Sequence, residues 1–333
     1  MNNRRKLVVA LGVGALGLRA RSFAQRPTKI YRLGILTAGY TTSDLVGPRP
    51  AAPTLKAFLR GLSALGYVYG QHFMTEPRAG ESKPERYAAV AAEVVRDQVD
   101  LIVAAGPWLP ALKQATSDIP VVMAGAEDPL GQGLVRSLGR SGGNFTGLSN
   151  QSVELYRKRL ELLKEACPRI SRPAALSNPD NPVSRPIIPA MQAAAASLSL
   201  MVQVVRAQSP GEFSLAFAAM AKNRVDSVVV TEDGEFAASF RAIATLALAN
   251  KLPSIGAREY AEAGGLIGYG VDILGLYRRA AYFVDRILKG AKPADLPIEQ
   301  PTKFELIVNL KTAKTLRLAM SETFLVRADR VIE

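Results

Sequence analysis

Short apolar runs, each closed by glycine, proline or polar residues, recur along the chain. The run at residues 101–105 ends in Gly106-Pro107-Trp108, and a second run at 121–124 leads into a loop that reaches Pro129. Both runs are too short for a helix and are about a helix's length apart, a pattern typical of buried parallel strands. Since ligand clefts in open α/β sheets lie beyond the carboxyl ends of the strands, these two loops are predicted to form part of a small-molecule cleft.

Helical patterns alternate with these runs. One segment carries Leu55, Phe58, Leu59, Leu62 and Leu65 at spacings of three and four, and Gly66 ends it. The strand-helix order then repeats in the second half of the chain, so we predict the α/β class with two doubly wound, Rossmann-like lobes. Further strands are predicted at residues 30–36, 73–77, 174–177, 201–206, 227–230, 253–256, 265–270 and 304–308, and helices at 84–96, 153–166, 183–198, 211–222 and 273–288.

A glycine-dense segment, residues 142–147, lies between the two halves. It offers two interpretations, a loop that cradles phosphate or a crossover between lobes. The segment lacks the Lys-Ser/Thr ending of a P-loop and the glycine spacing of a dinucleotide fingerprint. We therefore favour the crossover.

The first 24 residues have the features of an export signal. A basic start, Arg4-Arg5-Lys6, is followed by an apolar stretch at residues 7–18 and by the small-x-small pattern Ser22-Phe23-Ala24. The apolar stretch is shorter than the roughly 20 residues that span a bilayer. We predict a cleavable signal peptide, cut after Ala24, and a periplasmic or otherwise exported mature protein.

Composition narrows the possible functions. At 333 residues, 48% hydrophobic and 21% charged, the chain is predicted to fold as two globular domains. The predicted leader holds five basic residues and no acidic ones, so its removal lowers the formal charge from +13 to +8. The remaining basic residues are scattered, without the clusters and aromatic platforms of a nucleic-acid interface, and we predict no nucleic-acid partner.

Metal and thiol chemistry are not indicated either. Cys167 is the single cysteine and His72 the single histidine. One cysteine forms no intrachain disulfide, and no zinc-ligand spacing is present. We interpret Cys167 as a small core residue, and predict no metal and no cofactor.

Several segments, taken in order, resemble one protein family. They are residues 61–67 (GLSALGY), 119–125 (IPVVMAG) with Asp128-Pro129, 142–147 (GGNFTG), 264–270 (GGLIGYG) and 300–309 (QPTKFELIVN). Together they resemble the tryptophan/tyrosine-type substrate-binding proteins of ABC transporters, over essentially the whole mature chain.

The resemblance implies a type I periplasmic-binding-protein fold, with two lobes joined by a hinge that close on a small ligand. It implies delivery of that ligand to an ABC permease in the inner membrane, by a protein that is not an enzyme; we expect a monomer. The predicted division is a signal peptide at 1–24, a first lobe at 28–147 with about 273–300, and a second lobe at 148–272 with about 301–333.

One loop departs from the family pattern. Members of the family carry Gly-Thr-Pro after the strand that corresponds to residues 101–105, whereas this chain has Gly106-Pro107-Trp108. A threonine hydroxyl that could contact ligand is absent, and Trp108 could fill or reshape the pocket. We expect ligand specificity to be decided at this loop, which leaves an amino-acid ligand open to question.

Candidate ligand contacts follow from the strand ends. Asp128 or Asp233 could hold a ligand ammonium, and Tyr40, Trp108 or Tyr269 could stack on a planar group. Both aspartates serve equally well as helix caps, and packing is the commoner role for Trp108 and Tyr269. The full set of predicted ligand-binding residues is Thr37, Gly39, Tyr40, Gly106, Pro107, Trp108, Ala126, Asp128, Asn178, Asp233, Arg258, Tyr260, Tyr269 and Asp272.

Two alternatives to transport remain open at this stage. The acidic pairs Glu127-Asp128 and Glu232-Asp233 could serve an α/β hydrolase or transferase. A ligand-sensing module for a membrane receptor would share the same sequence features. The leading hypothesis is a solute-binding protein for a small ligand of the amino-acid-like or aromatic kind.

Overall fold

The computed structural model describes residues 29–80, 83–150, 152–181 and 184–333. The predicted signal peptide and its cleavage site lie outside the described residues. Within the described part of the chain, no helix combines the length and apolar character needed to cross a bilayer.

The first lobe is built on a parallel sheet of six strands in the order β11-β5-β4-β3-β1-β2. The doubly wound prediction is confirmed here, since β1 pairs with both β2 and β3 and the order 2-1-3-4-5 follows outward. The strands are β1 (Tyr31–Thr37), β2 (Phe73–Ala79), β3 (Leu101–Ala104), β4 (Val121–Ala126), β5 (Phe145–Ser149) and β11 (Ile298–Glu299).

The second lobe repeats this plan. Its seven-stranded sheet has the order β13-β12-β10-β9-β8-β6-β7, and only the β10–β12 pair is antiparallel. The strands are β6 (Pro173–Ser177), β7 (Gln203–Arg206), β8 (Ser227–Val230), β9 (Ser254–Gly256), β10 (Ile267–Gly270), β12 (Glu305–Asn309) and β13 (Arg330–Ile332).

Helices cover both faces of each sheet, as a parallel sheet buried on two sides requires. In the first lobe, α1 and α10 pack on one face while α2 and α3 pack on the other. The helices are α1 (Pro53–Ala64), α2 (Tyr87–Arg96), α3 (Trp108–Ala115), α4 (Ser152–Ala166), α5 (Ser184–Ser197), α6 (Phe213–Lys222), α7 (Gly234–Ala238), α8 (Phe240–Ala249), α9 (Arg258–Glu262), α10 (Ile273–Leu288), α11 (Leu310–Thr315) and α12 (Glu322–Leu325).

The chain passes between the sheets after β5, after β10 and after β11. The glycine-dense segment at 142–147 therefore leads into the first of these crossings, but its second half forms β5, a strand that the pattern did not predict. β5 ends at Ser149, slightly beyond the predicted boundary at 147.

At Gly147 the backbone adopts φ +127°, and a Cβ there would lie 2.3 Å from the carbonyl oxygen of Met123. Only glycine accepts that approach.

Helix α10 belongs to the first lobe and carries cavity residues at its amino-terminal end. It packs closely on α1 at Gly61, where a Cβ would lie 2.6 Å from the carbonyl oxygen of Arg278 and 2.8 Å from Cβ of Ala281. We expect Gly61→Ala to lower the free energy of unfolding by about 1–3 kcal/mol, because the two helices must separate. Urea denaturation measures this, with Ser63→Ala, at an exposed position of the same helix, as the control. Equal stabilities of the two variants would contradict the expectation.

Candidate functional site

A cavity of about 370 Å³ lies where the carboxyl ends of the two sheets face each other. Thr37 ends β1, Gly106 follows β3 and Glu127 follows β4. From the second lobe, Asp233 follows β8 and Glu259 lies on α9. The remaining wall residues are Ala38, Tyr40, Pro53, Thr54, Ala105, Pro107, Ala124, Gly125, Asn150, Asn181, Glu232, Gly234, Ala237, Phe240, Ala257, Glu262, Ile273, Leu274 and Tyr277.

Five of the residues predicted from the sequence lie on this wall: Thr37, Tyr40, Gly106, Pro107 and Asp233. They come from both lobes, although Thr37 and Asp233 are almost 200 positions apart in the chain. Burial raises the pKa of the Tyr40 hydroxyl above its ordinary value, so it enters the cavity as a neutral hydrogen-bonding group.

Trp108 lies in the core of the first lobe and not on the cavity wall. Its side chain is fully buried, and its ring centroid is 4.5 Å from that of Tyr87 on α2. Pro107 immediately before it does line the cavity. The unusual loop therefore presents a proline to the ligand space, while its tryptophan fills the sheet-helix interface behind.

Three predicted aspartates act as caps. Asp233 is the N-cap of α7 and accepts hydrogen bonds from the backbone N–H of Glu235 and Phe236. Asp272 caps α10 through the N–H of Gly275 (2.9 Å). Asp128 accepts from the N–H of Gly131 at 2.8 Å and so closes a turn beyond β4. Of the three, only Asp233 also lines the cavity.

Asn178 supports Asp233 from β6. Its side-chain amide donates to Oδ2 of Asp233 at 3.2 Å, and the amide of Asn181 donates to the same oxygen at 2.9 Å. Burial raises the pKa of Asp233 to about 6 despite these bonds. Asn181, which the sequence prediction omitted, lies on the cavity wall, whereas Asn178 stands behind it.

The other predicted residues of the second lobe pack away from the cavity. Tyr260 is fully buried and donates to Oγ of Ser254 at 2.9 Å. Tyr269 stacks on Phe304 with a centroid distance of 6.2 Å. Arg258 pairs with carboxylates instead, those of Glu259, Glu262 and Glu305.

Gly39, with the neighbouring Ala38, forms a contact between the lobes. The N–H of Gly39 donates to Oε1 of Glu235 at 2.9 Å, across the cleft. A Cβ on Gly39 would lie 2.2 Å from the carbonyl oxygen of Gly234, and a Cβ on Gly234 would lie 2.5 Å from Cβ of Ala38. The lobes thus meet backbone to backbone at this point. Ala126, also predicted, is fully buried in the first-lobe core beside this region.

Glu127 is the most unusual group on the wall. Its side chain is only 9% exposed, and its Oε2 has no hydrogen-bond partner among the described residues. Burial, together with the nearby carboxylates of Glu232 and Asp233, raises the pKa of this carboxyl to about 8, although a hydrogen bond from its own backbone lowers it in part. The group is therefore largely protonated at neutral pH.

Glu232 has a cationic partner. The guanidinium of Arg159, fully buried on α4, donates from Nη2 to Oε1 of Glu232 at 2.6 Å and from Nε to the carbonyl oxygen of Tyr269 at 2.9 Å. It also lies over the ring of Tyr156, 5.2 Å from the centroid. This arrangement fixes the carboxylate of Glu232 at the cavity and neutralises its charge.

Several wall residues were not among the sequence-predicted set. Glu127 and Glu232 follow strands directly, and their position next to the apolar runs is the signal that could have selected them. Asn150 follows β5, so missing that strand also missed this side chain. Tyr277 lies one turn into α10, where only the helix phase relative to the cleft could have pointed to it. Among the described residues, no group of three histidine, cysteine or acidic side chains is arranged to hold a metal ion.

Two similar α/β lobes that enclose a cavity at the strand ends of both sheets define the class of two-lobed binding proteins. The chain belongs to the family described as ABC transporter substrate binding protein, whose sequence profile matches residues 51–332. The predicted resemblance is confirmed: this is a substrate-binding protein for a small ligand, with the type I periplasmic-binding-protein fold.

Several relatives of known name or structure support this membership. A tyrosine-binding protein of Clostridioides difficile (strain R20291) is 27% identical over 264 residues, which cover 78% of this chain and 75% of the relative. The crystal structure of an ABC domain from Streptococcus pneumonia in complex with L-Trp is 27% identical, with a TM-score of 0.79 over 91% of this chain and 100% of that one. A ligand-free, open substrate-binding protein with adhesive properties from Clostridium difficile is 24% identical, with a TM-score of 0.60 over 91% and 99% of the two chains.

This structure superposes with a higher TM-score on the complex than on the ligand-free, open protein. The two lobes are in contact across the cleft, through the hydrogen bond from Gly39 to Glu235 and the close approach of Ala38 to Gly234. The lobes described here therefore lie in a closed arrangement.

Proposed function

We propose that this protein is the exported, non-enzymatic binding component of an ABC importer. A small organic ligand enters between the open lobes, the lobes close by hinge motion, and the closed form docks on a permease in the inner membrane. The protein acts as a monomer without nucleic acid. The observation that carries the proposal is the cavity whose wall is shared between the strand ends of both lobes.

The lobes in this proposal comprise residues 28–147 with about 273–300, and 148–272 with about 301–333. The ligand contacts it assigns among the residues predicted from the sequence are Thr37, Tyr40, Gly106, Pro107 and Asp233, all on the cavity wall. The remaining nine predicted residues act indirectly, by packing, capping or joining the lobes.

The size and lining of the cavity support a ligand of the dimensions of an aromatic amino acid or a similar compound. A volume of about 370 Å³ is at the small end of ordinary ligand pockets. Ile273, Leu274 and Phe240 supply apolar surface, and the rings of Tyr40 and Tyr277 lie on the same wall. The tyrosine and tryptophan named for two relatives have these dimensions.

A thermal-shift screen of the purified protein against amino acids, aromatic acids, amines and nucleosides tests the proposal. A true ligand binds only the native state, so its stabilisation should grow with concentration and reach about 2.7 kcal/mol at 100 times Kd. The same compounds should be recovered unchanged after incubation with the protein. If no compound shifts the transition, or if the active compound is consumed, the transport function is wrong.

A further inference from the structure

The cavity wall carries acidic side chains and no basic ones. Among the described residues that line it there are five carboxylates and no lysine, arginine or histidine. Its remaining side-chain donors are neutral: the hydroxyls of threonine and tyrosine and the amides of two asparagines. The carboxylates are those of Glu127, Glu232, Asp233, Glu259 and Glu262.

Most of these carboxylates already have partners in the protein. Glu232 is paired with Arg159 (2.6 Å), and Glu262 with Arg330 (2.9 Å). Glu259 lies 3.4 Å from Arg258 and accepts the N–H of Ile273. Asp233 accepts two backbone N–H groups and two side-chain amides, as described above.

Glu127 is the exception. It is nine-tenths buried, it lines the cavity, and its Oε2 has no hydrogen-bond partner in the described structure. Oδ1 of Asn150, on the same wall and 7% exposed as a residue, is likewise without a partner. A buried carboxylate is stabilised by a cation and by hydrogen-bond donors. A cationic ligand would favour the ionised form of Glu127. In that form both orphaned atoms are acceptors, and a donor from the ligand satisfies them.

The helix start nearest Glu127 is poorly suited to hold a ligand carboxylate. Backbone N–H groups at a helix N-terminus ordinarily bind anions, but Pro107 and Pro110 in the first turn of α3 have no N–H. The N–H of Leu109 between them donates to the carbonyl oxygen of Gly106 at 3.1 Å, and that of Gly106 is directed at the carbonyl oxygen of Gly125. These four residues therefore offer no free N–H group to a ligand carboxylate.

The starts of α7 and α10 at the cavity are occupied by protein carboxylates. At α7, Asp233 accepts from the N–H groups of Glu235 and Phe236. At α10, Glu259 accepts from the N–H of Ile273 (3.3 Å), and Asp272 from that of Gly275. The start of α1 also lines the cavity, at Pro53 and Thr54, and Oγ1 of Thr54 has no hydrogen-bond partner in the described structure. The donors that the cavity presents to a ligand are thus neutral, and none is a cation.

We infer that the ligand is an organic cation, an amine or amidine without a free carboxylate, whose charged group binds Glu127 and Asn150 while its apolar body lies against Ile273 and Tyr277. The inference rests on the proposed function and specifies its ligand class. The cation of the ligand serves as the ion-pair partner that Glu127 lacks, so the buried positive charge compensates the buried carboxylate. A zwitterionic amino acid would bring a carboxylate into a wall of carboxylates with no cation to receive it.

Compounds that share a skeleton but carry different ionised groups test the inference by isothermal titration calorimetry at constant pH. One set is tyramine, L-tyrosine and 3-(4-hydroxyphenyl)propionate, and a second is tryptamine, L-tryptophan and indole-3-propionate. Agmatine and L-arginine extend the comparison to guanidinium ligands. We expect the amine of a set to bind roughly 10- to 100-fold more tightly than its amino acid, and the carboxylic acids not to bind.

Two variants locate the charged group. Glu127→Gln should weaken amine binding about tenfold or more, whereas Glu93→Gln, at an exposed position of α2 away from the cavity, should leave it unchanged. If an amino acid binds as tightly as its amine, if only neutral or anionic compounds bind, or if both variants lose amine affinity equally, the cation inference is wrong while the binding function stands. If no compound binds in these sets or in the wider screen, both fail.

Discussion

Gly234→Val should leave both lobes folded but prevent them from closing on a ligand. A Cβ at this position would lie 2.5 Å from Cβ of Ala38 in the opposite lobe, closer than side-chain carbons approach in proteins. Gly234 is the first residue of α7 and does not have a left-handed backbone conformation, so the open form accepts a side chain there. The clash therefore acts on the closed state alone, and binding that depends on closure is expected to weaken by about 100-fold or more.

Calorimetry with the strongest binder from the screen measures this loss, and small-angle X-ray scattering measures closure. The wild-type protein should become more compact at saturating ligand, whereas the variant should keep the same radius of gyration. Gly211→Val, in an exposed turn of the second lobe where a Cβ meets only Oγ of Ser209 at 3.9 Å, is the matched control. Undiminished affinity, or ligand-induced compaction of the Gly234 variant, would show that the contact at Ala38 does not limit closure.

The contact at Gly39 and Gly234 also shows what the sequence could not predict. The strand ends followed from the apolar runs. The rule for parallel sheets then placed Thr37 and Pro107 at the cleft edge of the first sheet and Asp233 at that of the second. Nothing in the pattern indicates that Gly39 meets Gly234, since the contact depends on the angle between two lobes that fold separately. Both residues appear in the sequence as ordinary glycines in loops.

Trp108 shows a second limit of prediction from the sequence, the direction of a side chain within one helical turn. The sequence predicted it in a cleft loop, but it is the first residue of α3. The direction of a side chain in that first turn depends on how the helix packs on the sheet. The neighbouring ring of Tyr87 comes from α2, and that pairing carries no sequence signal. Pro107 and Pro110 have no N–H groups, and the sequence shows this once the start of α3 is known.

Charge compensation is the third limit. Glu232 and Arg159 pair although they are 73 positions apart in the chain. Glu127 differs from Glu232 in having no arginine or lysine partner among the described residues. Acidic residues after strands therefore predict a polar cleft, but three-dimensional pairing decides which of them remains available to a ligand.

Glu127→Gln should make the free protein more stable at alkaline pH and change it little at pH 5. Burial raises the pKa of this carboxyl from 4.5 to about 8 in the folded chain. Between these values the unfolded chain has lost a proton that the folded chain keeps, so the free energy of unfolding falls as pH rises and stops falling above about pH 8. Glutamine does not titrate, and the variant should gain roughly 2–4 kcal/mol over wild type at pH 9.

Other groups around Glu127 also titrate or carry charge, but they are common to both proteins and cancel in the difference. These are Glu232 with its partner Arg159, Asp233, and the hydroxyls of Tyr156 and Tyr277. Chemical denaturation from pH 5 to 9 measures the difference, with Glu93→Gln, at an exposed site on α2, as the control. A gain that is the same at every pH would mean that Glu127 is already ionised in the folded protein. A gain that grows with pH, in the variant that also loses amine binding, would mean that the folded protein keeps a destabilising carboxylate because its ligand requires it.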